Sequence, residues 1–220
     1  MAARLWQDRG ERAISWRMTW TLPNILTVLR LLAAPGVAVM FLFFLRPWAD
    51  WFALVLFVVA AVTDFVDGYL ARAWKQESKF GAMLDPIADK AMVIIALLVI
   101  TGFSGMNPWI LLPATLILFR EVFVSGLREF LGAKAGLLQV TKLAKWKTTA
   151  QMVAIAVLFS TGAFEHGGHE IGSVISWWTG IVLLWLAAVL TLMTGWDYFS
   201  KALPFLRDAP QPDPSERRVP

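Results

Sequence analysis

Long apolar runs alternate with short polar breaks along most of the sequence. The breaks contain proline, glycine or charged residues, which are typical of turns. Nothing in the runs alternates with the two-residue period of a strand. Each run is long enough to cross a bilayer as an α-helix. The pattern predicts an all-α integral membrane protein with six transmembrane helices, at about residues 22–45, 49–74, 80–103, 108–131, 147–164 and 172–199.

The composition supports this class and excludes reactions that need cysteine. Hydrophobic residues make up 58% of the 220 residues, which is too apolar for an ordinary soluble domain. The length suits one compact domain. The sequence has no cysteine, which excludes disulfides and thiolate catalysis.

Lysine and arginine predict the orientation in the membrane. They concentrate before the first run, between runs two and three, between runs four and five, and after run six. The opposite side carries only Arg46 among basic residues. By the positive-inside rule both termini are cytoplasmic, and we expect a multi-pass protein of a bacterial-type inner (plasma) membrane.

The two ends of the chain differ from the apolar middle. Residues 1–20 interleave four arginines with apolar residues, which favours an amphipathic helix lying in the membrane interface. A disordered basic tail is the alternative. Residues 21–203 form the six-helix domain. Residues 204–220 are rich in proline and charge, and we expect them to be disordered.

An acidic motif spans the end of the second run and the start of the third. Asp64 and Asp67 share one helix face with Gly68 and Ala71, and Asp85 and Asp89 share another with Gly81. Facing carboxylates repel unless a cation lies between them. Hard oxygen ligands suit Mg²⁺, Mn²⁺ or Ca²⁺, and the small residues allow close approach of a helix or a ligand.

Two other interpretations of the motif remain. It could form buried ion pairs in a structural bundle, or it could belong to a cation transporter. A transporter needs a polar path across the membrane. Residues 51–63 and 91–101 carry no charge and are nearly all apolar, which argues against such a path.

The motif resembles that of the CDP-alcohol phosphotransferase family, D-x2-D-G-x2-A-R-x8-G-x3-D-x3-D, and every fixed position is present. The resemblance implies a site at the cytoplasmic interface with two Mg²⁺ or Mn²⁺ ions, and Asp89 as the catalytic base. The implied metal ligands are Asp64, Asp67, Asp85 and Asp89. The implied CDP/CMP-binding residues are Asn24, Thr27, Asp67, Gly68, Ala71, Arg72 and Gly81.

Three further segments resemble the branch of this family that uses a glycerol phosphate acceptor: residues 23–30, 120–129 and 145–152. The resemblance implies that basic residues bind the acceptor phosphate, namely Arg30, Arg120, Arg128, Lys145 and Lys147. Simpler explanations exist for each segment. Pro23 with Asn24 is an ordinary helix start, Arg120 with Glu121 suits a buried packing pair, and the lysines suit a solvated cytoplasmic loop.

The resemblance implies transfer of a phosphatidyl group from CDP-diacylglycerol to sn-glycerol 3-phosphate, giving phosphatidylglycerophosphate and CMP. Inositol phosphate, serine and phosphatidylglycerol are alternative acceptors. The expected partners are these substrates, membrane lipids and a second copy of the chain, with no nucleic acid. His166 and His169 could chelate a metal, but the two glycines between them favour a flexible polar loop.

Overall fold

A computed structural model describes residues 21–73, 78–132 and 142–206 of the chain, with backbone only for residues 65, 67–73, 79 and 142–145. The described residues form six α-helices. They are α1 Leu22–Phe43, α2 Trp48–Ala73, α3 Lys79–Phe103, α4 Pro108–Leu131, α5 Lys142–His166 and α6 Glu170–Leu206. The all-α prediction is confirmed for this part of the chain. The predicted interfacial helix at 1–20 and the tail from residue 207 onwards lie outside it.

The helix bounds follow the apolar runs closely for α1 to α4. Two helices extend further than the runs predict. Helix α5 begins at Lys142 rather than at residue 147, and α6 continues to Leu206 rather than ending at residue 199. Lysine, leucine and alanine are good helix formers, so charged turns at the end of an apolar run remain helical. Hydropathy therefore marks the apolar length of a helix but not its full length.

Three of the described helices are long and apolar enough to cross a membrane: α1, α4 and α6. In α2 and α3 the carboxylates shorten the uncharged stretch to residues 51–63 and 91–103. At 1.5 Å per residue such a stretch spans about 20 Å, less than the roughly 30 Å of a hydrocarbon core. The chain is thus a helical protein with membrane-spanning segments, and crossing by all six helices remains a prediction.

The bundle has two connected halves. Helix α1 packs against α2 and α3, and α6 packs against α4 and α5. Helices α2 and α5 join the halves, and α3 also contacts α4 and α5. Small residues in the core let the backbones approach closely. They include Ala34, Ala53, Ala60, Ala96 and Ala154.

Large apolar side chains cover much of the outer surface of the bundle. Leu42 is 79% exposed, Phe130 is 72% exposed and Val182 is 64% exposed. Exposed apolar area on this scale is a property of surfaces that face lipid or another protein. It agrees with the apolar length of α1, α4 and α6.

A buried ion pair lies at the end of the bundle where α2 begins and α5 ends. Arg46 donates two hydrogen bonds to Asp50, at 2.8 Å and 2.7 Å, and Asp50 is 2% exposed. Gly162 of α5 packs directly on this pair, and a Cβ there would collide with Arg46 and with Asp50. A glycine at residue 162 is therefore a requirement of the ion pair.

Gly162→Ala should destabilise the protein by about 1–3 kcal/mol, because the added methyl group overpacks a buried ion pair. The measurement is thermal unfolding in detergent. Gly126→Ala is the matched control, since Gly126 is an exposed helical glycine with open space around its Cα. The control should raise stability by about 0.5–1 kcal/mol. Equal melting temperatures for both variants would contradict the packing argument.

Candidate active site

The polar residues of the acidic and basic motifs meet at the opposite end of the bundle. Helices α1, α3 and α5 begin at this end, and α2, α4 and α6 end there. The arrangement follows from the order of the helices, because short connections join consecutive helices head to tail.

Three polar side chains on α1 point into the bundle at this end. Asn24, Thr27 and Arg30 are only 3%, 2% and 3% exposed. They recur every third residue, so they lie along one side of the helix. Buried polar groups need partners, and each of these residues finds one on α2 or on the α3 side.

Arg30 links its own helix, α1, to the two helices that carry the acidic motif. Its Nη1 donates to Oδ1 of Asp64 on α2 and, at 2.7 Å, to Oδ1 of Asp89 on α3. The Arg30 side chain is 2% exposed, whereas those of Asp64 and Asp89 are 43% and 45% exposed. The two carboxylates are therefore anchored from the inside and remain open on the outside.

One turn earlier on α1, Thr27 contacts the third described carboxylate. Its Oγ1 lies 2.8 Å from Oδ1 of Asp85 and 3.0 Å from the carbonyl oxygen of Pro23. The hydroxyl proton is shared between these two acceptors or donated to one of them. Asp85 is therefore positioned by α1, as Asp64 and Asp89 are.

Two turns earlier than Arg30, Asn24 contacts the start of α3. Ser78 caps that helix by accepting a hydrogen bond from the Gly81 backbone N–H at 2.9 Å, and its hydroxyl donates to Oδ1 of Asn24 at 2.7 Å. A Cβ at Gly81 would lie 2.7 Å from the same Asn24 oxygen. Gly81 thus lets α1 pack against the first turn of α3.

The carboxylates suit a divalent cation, because of their chemistry and because they point towards one positive group. Arg30 shows that Asp64 and Asp89 converge on one positive centre, and both are hard oxygen donors. Among the described side chains no three acidic or histidine residues stand close enough together to hold a metal ion. The predicted ligand Asp67 is outside that set, because only its backbone is described.

A second charged group lies where α4 and α5 meet. Lys147 and Arg120 both contact Oε1 of Glu121, Lys147 closely and Arg120 Nη1 at 3.4 Å. Lys147 is 6% exposed, so it is not a solvated loop lysine. The group holds two cations and one carboxylate and therefore carries a net positive charge.

Helix α6 completes this group. Nη2 of Arg120 lies 3.4 Å from Thr194 Oγ1, and a Cβ at Gly195 would lie 2.9 Å from Cγ of Arg120. Nε of Arg120 and the hydroxyl of Tyr198 are both buried, and neither has a hydrogen-bond partner. Arg120 also lies near enough to Tyr198 and Arg128 to interact electrostatically with both. Two donors without acceptors in one place are favourable sites for an anion.

The acidic and basic groups lie at the same end of the bundle. Helix α3, which carries Asp85 and Asp89, packs against both α4 and α5, which carry the basic group. Lys90, which directly follows Asp89 on α3, lies near enough to Lys147 to interact with it electrostatically.

The side chains of several predicted site residues lie outside the described part of the structure. Asp67, Gly68, Ala71 and Arg72 lie within α2, and Lys145 lies within α5, with backbone described only. Arg128 is exposed in the last turn of α4. At the far end of the bundle, Nδ1 of His166 lies 3.1 Å from the Gly162 carbonyl of its own helix.

Four residues of the site were not predicted from the sequence: Ser78, Lys90, Thr194 and Tyr198. Thr191, Thr194 and Tyr198 recur at intervals of three and four residues in an apolar helix, which is a usable signal for a polar face. Ser78 has the residue type and position of a helix cap. Lys90 has no distinguishing pattern.

Comparisons with known proteins agree with the geometry. Residues 20–193 match the sequence model of the CDP-alcohol phosphatidyltransferase family. A protein of Cereibacter sphaeroides named CDP-diacylglycerol–glycerol-3-phosphate 3-phosphatidyltransferase is 67% identical, over 87% of this chain and 99% of the relative. Proteins of the same name from Escherichia coli K12 and Salmonella choleraesuis are 38% and 37% identical, over 87% and 84% of this chain and 100% and 96% of theirs.

The family match covers most of the chain and includes α1 to α5 and most of α6. It also spans the residues that α1 brings together at one end of the bundle. The chain belongs to the CDP-alcohol phosphatidyltransferase family.

Proposed function

We propose that this chain is an enzyme that transfers the phosphatidyl group of CDP-diacylglycerol to sn-glycerol 3-phosphate. The products are phosphatidylglycerophosphate and CMP. The observation that carries the proposal is the 67% identity, over 87% of this chain and 99% of the relative, to a protein named for this reaction. The adjacent acidic and basic groups support it, because the reaction joins a pyrophosphate donor to a phosphate-bearing acceptor.

The donor occupies the acidic group. Asp64, Asp67, Asp85 and Asp89 would hold two divalent cations, Mg²⁺ or Mn²⁺. When bound, such ions neutralise the pyrophosphate and stabilise the leaving group. The half-exposed carboxylates of Asp64 and Asp89 support this assignment, since each is fixed on its inner side by Arg30 and open outward. Asn24, Thr27, Gly68, Ala71, Arg72 and Gly81 line the nucleotide site.

Asp89 acts as the base. It takes the proton of the acceptor hydroxyl while that oxygen attacks the phosphorus of the phosphatidyl group. The bond from this phosphorus to the CMP oxygen breaks, and CMP leaves with the electron pair. The Arg30 hydrogen bond at 2.7 Å fixes the carboxylate, so its value as a base lies in its position.

The acceptor phosphate binds the basic group. Arg120, Lys147, Arg128 and Lys145 supply the charge. The resemblance also implies Arg30, but its guanidinium donates to Asp64 and Asp89 instead. The buried Nε of Arg120 and the Tyr198 hydroxyl support a ligand here, because both are donors without a partner. Charge-assisted hydrogen bonds to a phosphate would satisfy them. The electrostatic interaction of Lys90 with Lys147 supports a position for this phosphate on the Asp89 side of the basic group.

The enzyme works at the cytoplasmic face of a bacterial inner membrane. All six helices cross the bilayer and both termini are cytoplasmic, as the distribution of lysine and arginine predicts. The exposed apolar surface supports contact with lipid. A homodimer follows from the family resemblance alone.

A cation transporter is the alternative from another class, and the core disfavours it. Beyond the acidic group, the centre of the bundle is filled by large apolar side chains that are at most 1% exposed, among them Phe57, Met92, Leu97 and Ile155. These side chains offer an ion no polar partner.

The purified protein should release CMP from CDP-diacylglycerol when glycerol 3-phosphate is the acceptor. Inositol phosphate, serine, inositol and phosphatidylglycerol, each at the same concentration, should give much slower release, because the basic group suits a small phosphate dianion. Thin-layer chromatography of the lipid product identifies the acceptor that was used. Faster release with serine or inositol would refute the proposed acceptor.

Turnover should stop in excess EDTA and return with Mg²⁺ or Mn²⁺. Asp85→Asn should abolish it while leaving the protein folded, because a neutral amide is a far poorer ligand for a hard cation. Asp197→Asn is the control, since Asp197 forms an exposed ion pair with Lys201 on α6. Full activity in EDTA, or in Asp85→Asn, would rule out the metal-assisted mechanism.

Tyr198→Phe should raise the apparent KM for glycerol 3-phosphate about tenfold and leave that for CDP-diacylglycerol unchanged, because one hydrogen bond to a charged group is lost. Thr191→Val is the matched control. It removes another buried hydroxyl that has no partner, two turns away on the same face of α6. If both variants shift the KM equally, or neither does, Tyr198 does not contact the acceptor.

A further inference from the structure

Arg30 occupies an unusual place for a residue that binds a soluble substrate. Its side chain is 2% exposed, and Nη1 already donates to two carboxylates. A phosphate arriving from solvent would have to pass those carboxylates, which repel it. The contacts instead give Arg30 the position that a cation takes between two acidic ligands.

The position of Arg30 also affects the charge balance of the acidic group. The carboxylates of Asp64, Asp85 and Asp89 all contact residues of α1. The family motif adds a fourth carboxylate, Asp67. Without a cation these carboxylates would repel one another. Arg30 is a covalently attached cation, so it balances part of this charge when the metal ions are absent.

We propose that Arg30 is the resident counter-cation of the acidic group. It holds Asp64 and Asp89 in position before metal binds, and its charge limits how tightly the group binds divalent cations. This role rests on the proposed metal site and deepens it. Arg30 is thus a positioning residue, and it acts on the reaction through Asp89.

The proposal predicts opposite effects on metal affinity and on rate. Removing the charge takes away a repulsion towards incoming cations, so metal should bind more tightly. Removing the hydrogen bond frees the Asp89 carboxylate, so turnover should fall even at saturating metal. A residue that only bound the acceptor would change neither the metal affinity nor the stability of the metal-free protein.

The test is the binding of Mn²⁺ to purified protein in detergent, followed by electron paramagnetic resonance, together with melting temperatures in EDTA and in saturating Mg²⁺. Arg30→Gln should bind Mn²⁺ at least about tenfold more tightly than the unmodified chain. It should also melt at a lower temperature in EDTA and recover much of the difference in Mg²⁺. Arg30→Lys keeps the charge and should bind Mn²⁺ within about threefold of the unmodified chain.

Lys201→Gln is the control for the loss of one positive charge, because Lys201 forms an exposed pair outside the site. It should leave Mn²⁺ affinity unchanged. If Arg30→Gln does not fold, Asp89→Asn with Arg30→Lys gives a double-mutant cycle on the melting temperature in EDTA. Non-additive effects then support direct coupling of the two side chains.

Two results would overturn the proposal. In one, Arg30→Gln raises only the KM for glycerol 3-phosphate, with unchanged Mn²⁺ affinity, which makes Arg30 an acceptor ligand. In the other, the variant loses the same stability with and without Mg²⁺, which makes Arg30 a packing residue. The Mn²⁺-binding and melting measurements use neither the donor nor the acceptor, so failure of the proposed reaction in the acceptor panel is seen separately.

Discussion

The contact of one guanidinium with two carboxylates governs the arrangement of this end of the bundle. Arg30 lies on α1, and its two acceptors lie on α2 and α3. Because the three groups must meet at one point, the contact sets the positions of the three helices relative to one another. The other polar contacts of α1 then follow in order along α3: Thr27 with Asp85, and Asn24 with Ser78. Helix α1 therefore aligns the acidic residues of α3 turn by turn.

The same principle applies to the basic group. Arg120 and Lys147 would repel each other if nothing anionic lay between them, and Glu121 supplies that charge. Breaking a buried ion pair by removing one partner is costly, so each half of the site needs its own counter-charge while substrates are absent. Arg30 serves the carboxylates and Glu121 serves the cations. In the proposed reaction, substrate and metal binding would replace or supplement contacts that already exist, so each group has a counter-charge before binding.

The sequence predicts the existence of the six helices because long apolar runs separated by breakers leave little choice of structure. It also predicts which residues share a helix face, since spacing alone determines that. It does not predict which faces of different helices meet. Arg30 is an example: the family resemblance implies an acceptor ligand, whereas the observed partners are Asp64 and Asp89. Tyr198 is another, because its importance depends on the packing of α6 against α4, which no local pattern encodes. The apolar pattern ends α6 at residue 199, whereas the helix continues to Leu206. Hydropathy falls before helix propensity does, so it does not indicate the last turns.

The proposed depth of the carboxylates in the membrane explains why they need counter-charges. Asp64 lies 16 residues after Trp48, the first residue of α2, and Asp89 lies 14 residues before Phe103, the last residue of α3. At 1.5 Å per residue these distances are about 24 Å and 21 Å, both shorter than the roughly 30 Å of a hydrocarbon core. In the proposed topology, with Trp48 and Phe103 at the far surface of the hydrocarbon core, the carboxylates would lie about one turn or more below the headgroups. A lipid-linked pyrophosphate could reach that level while its acyl chains stay between helices, and a soluble acceptor would need an attractive group of fixed cations to reach it. The acidic and basic groups at this end of the bundle would meet these two requirements together.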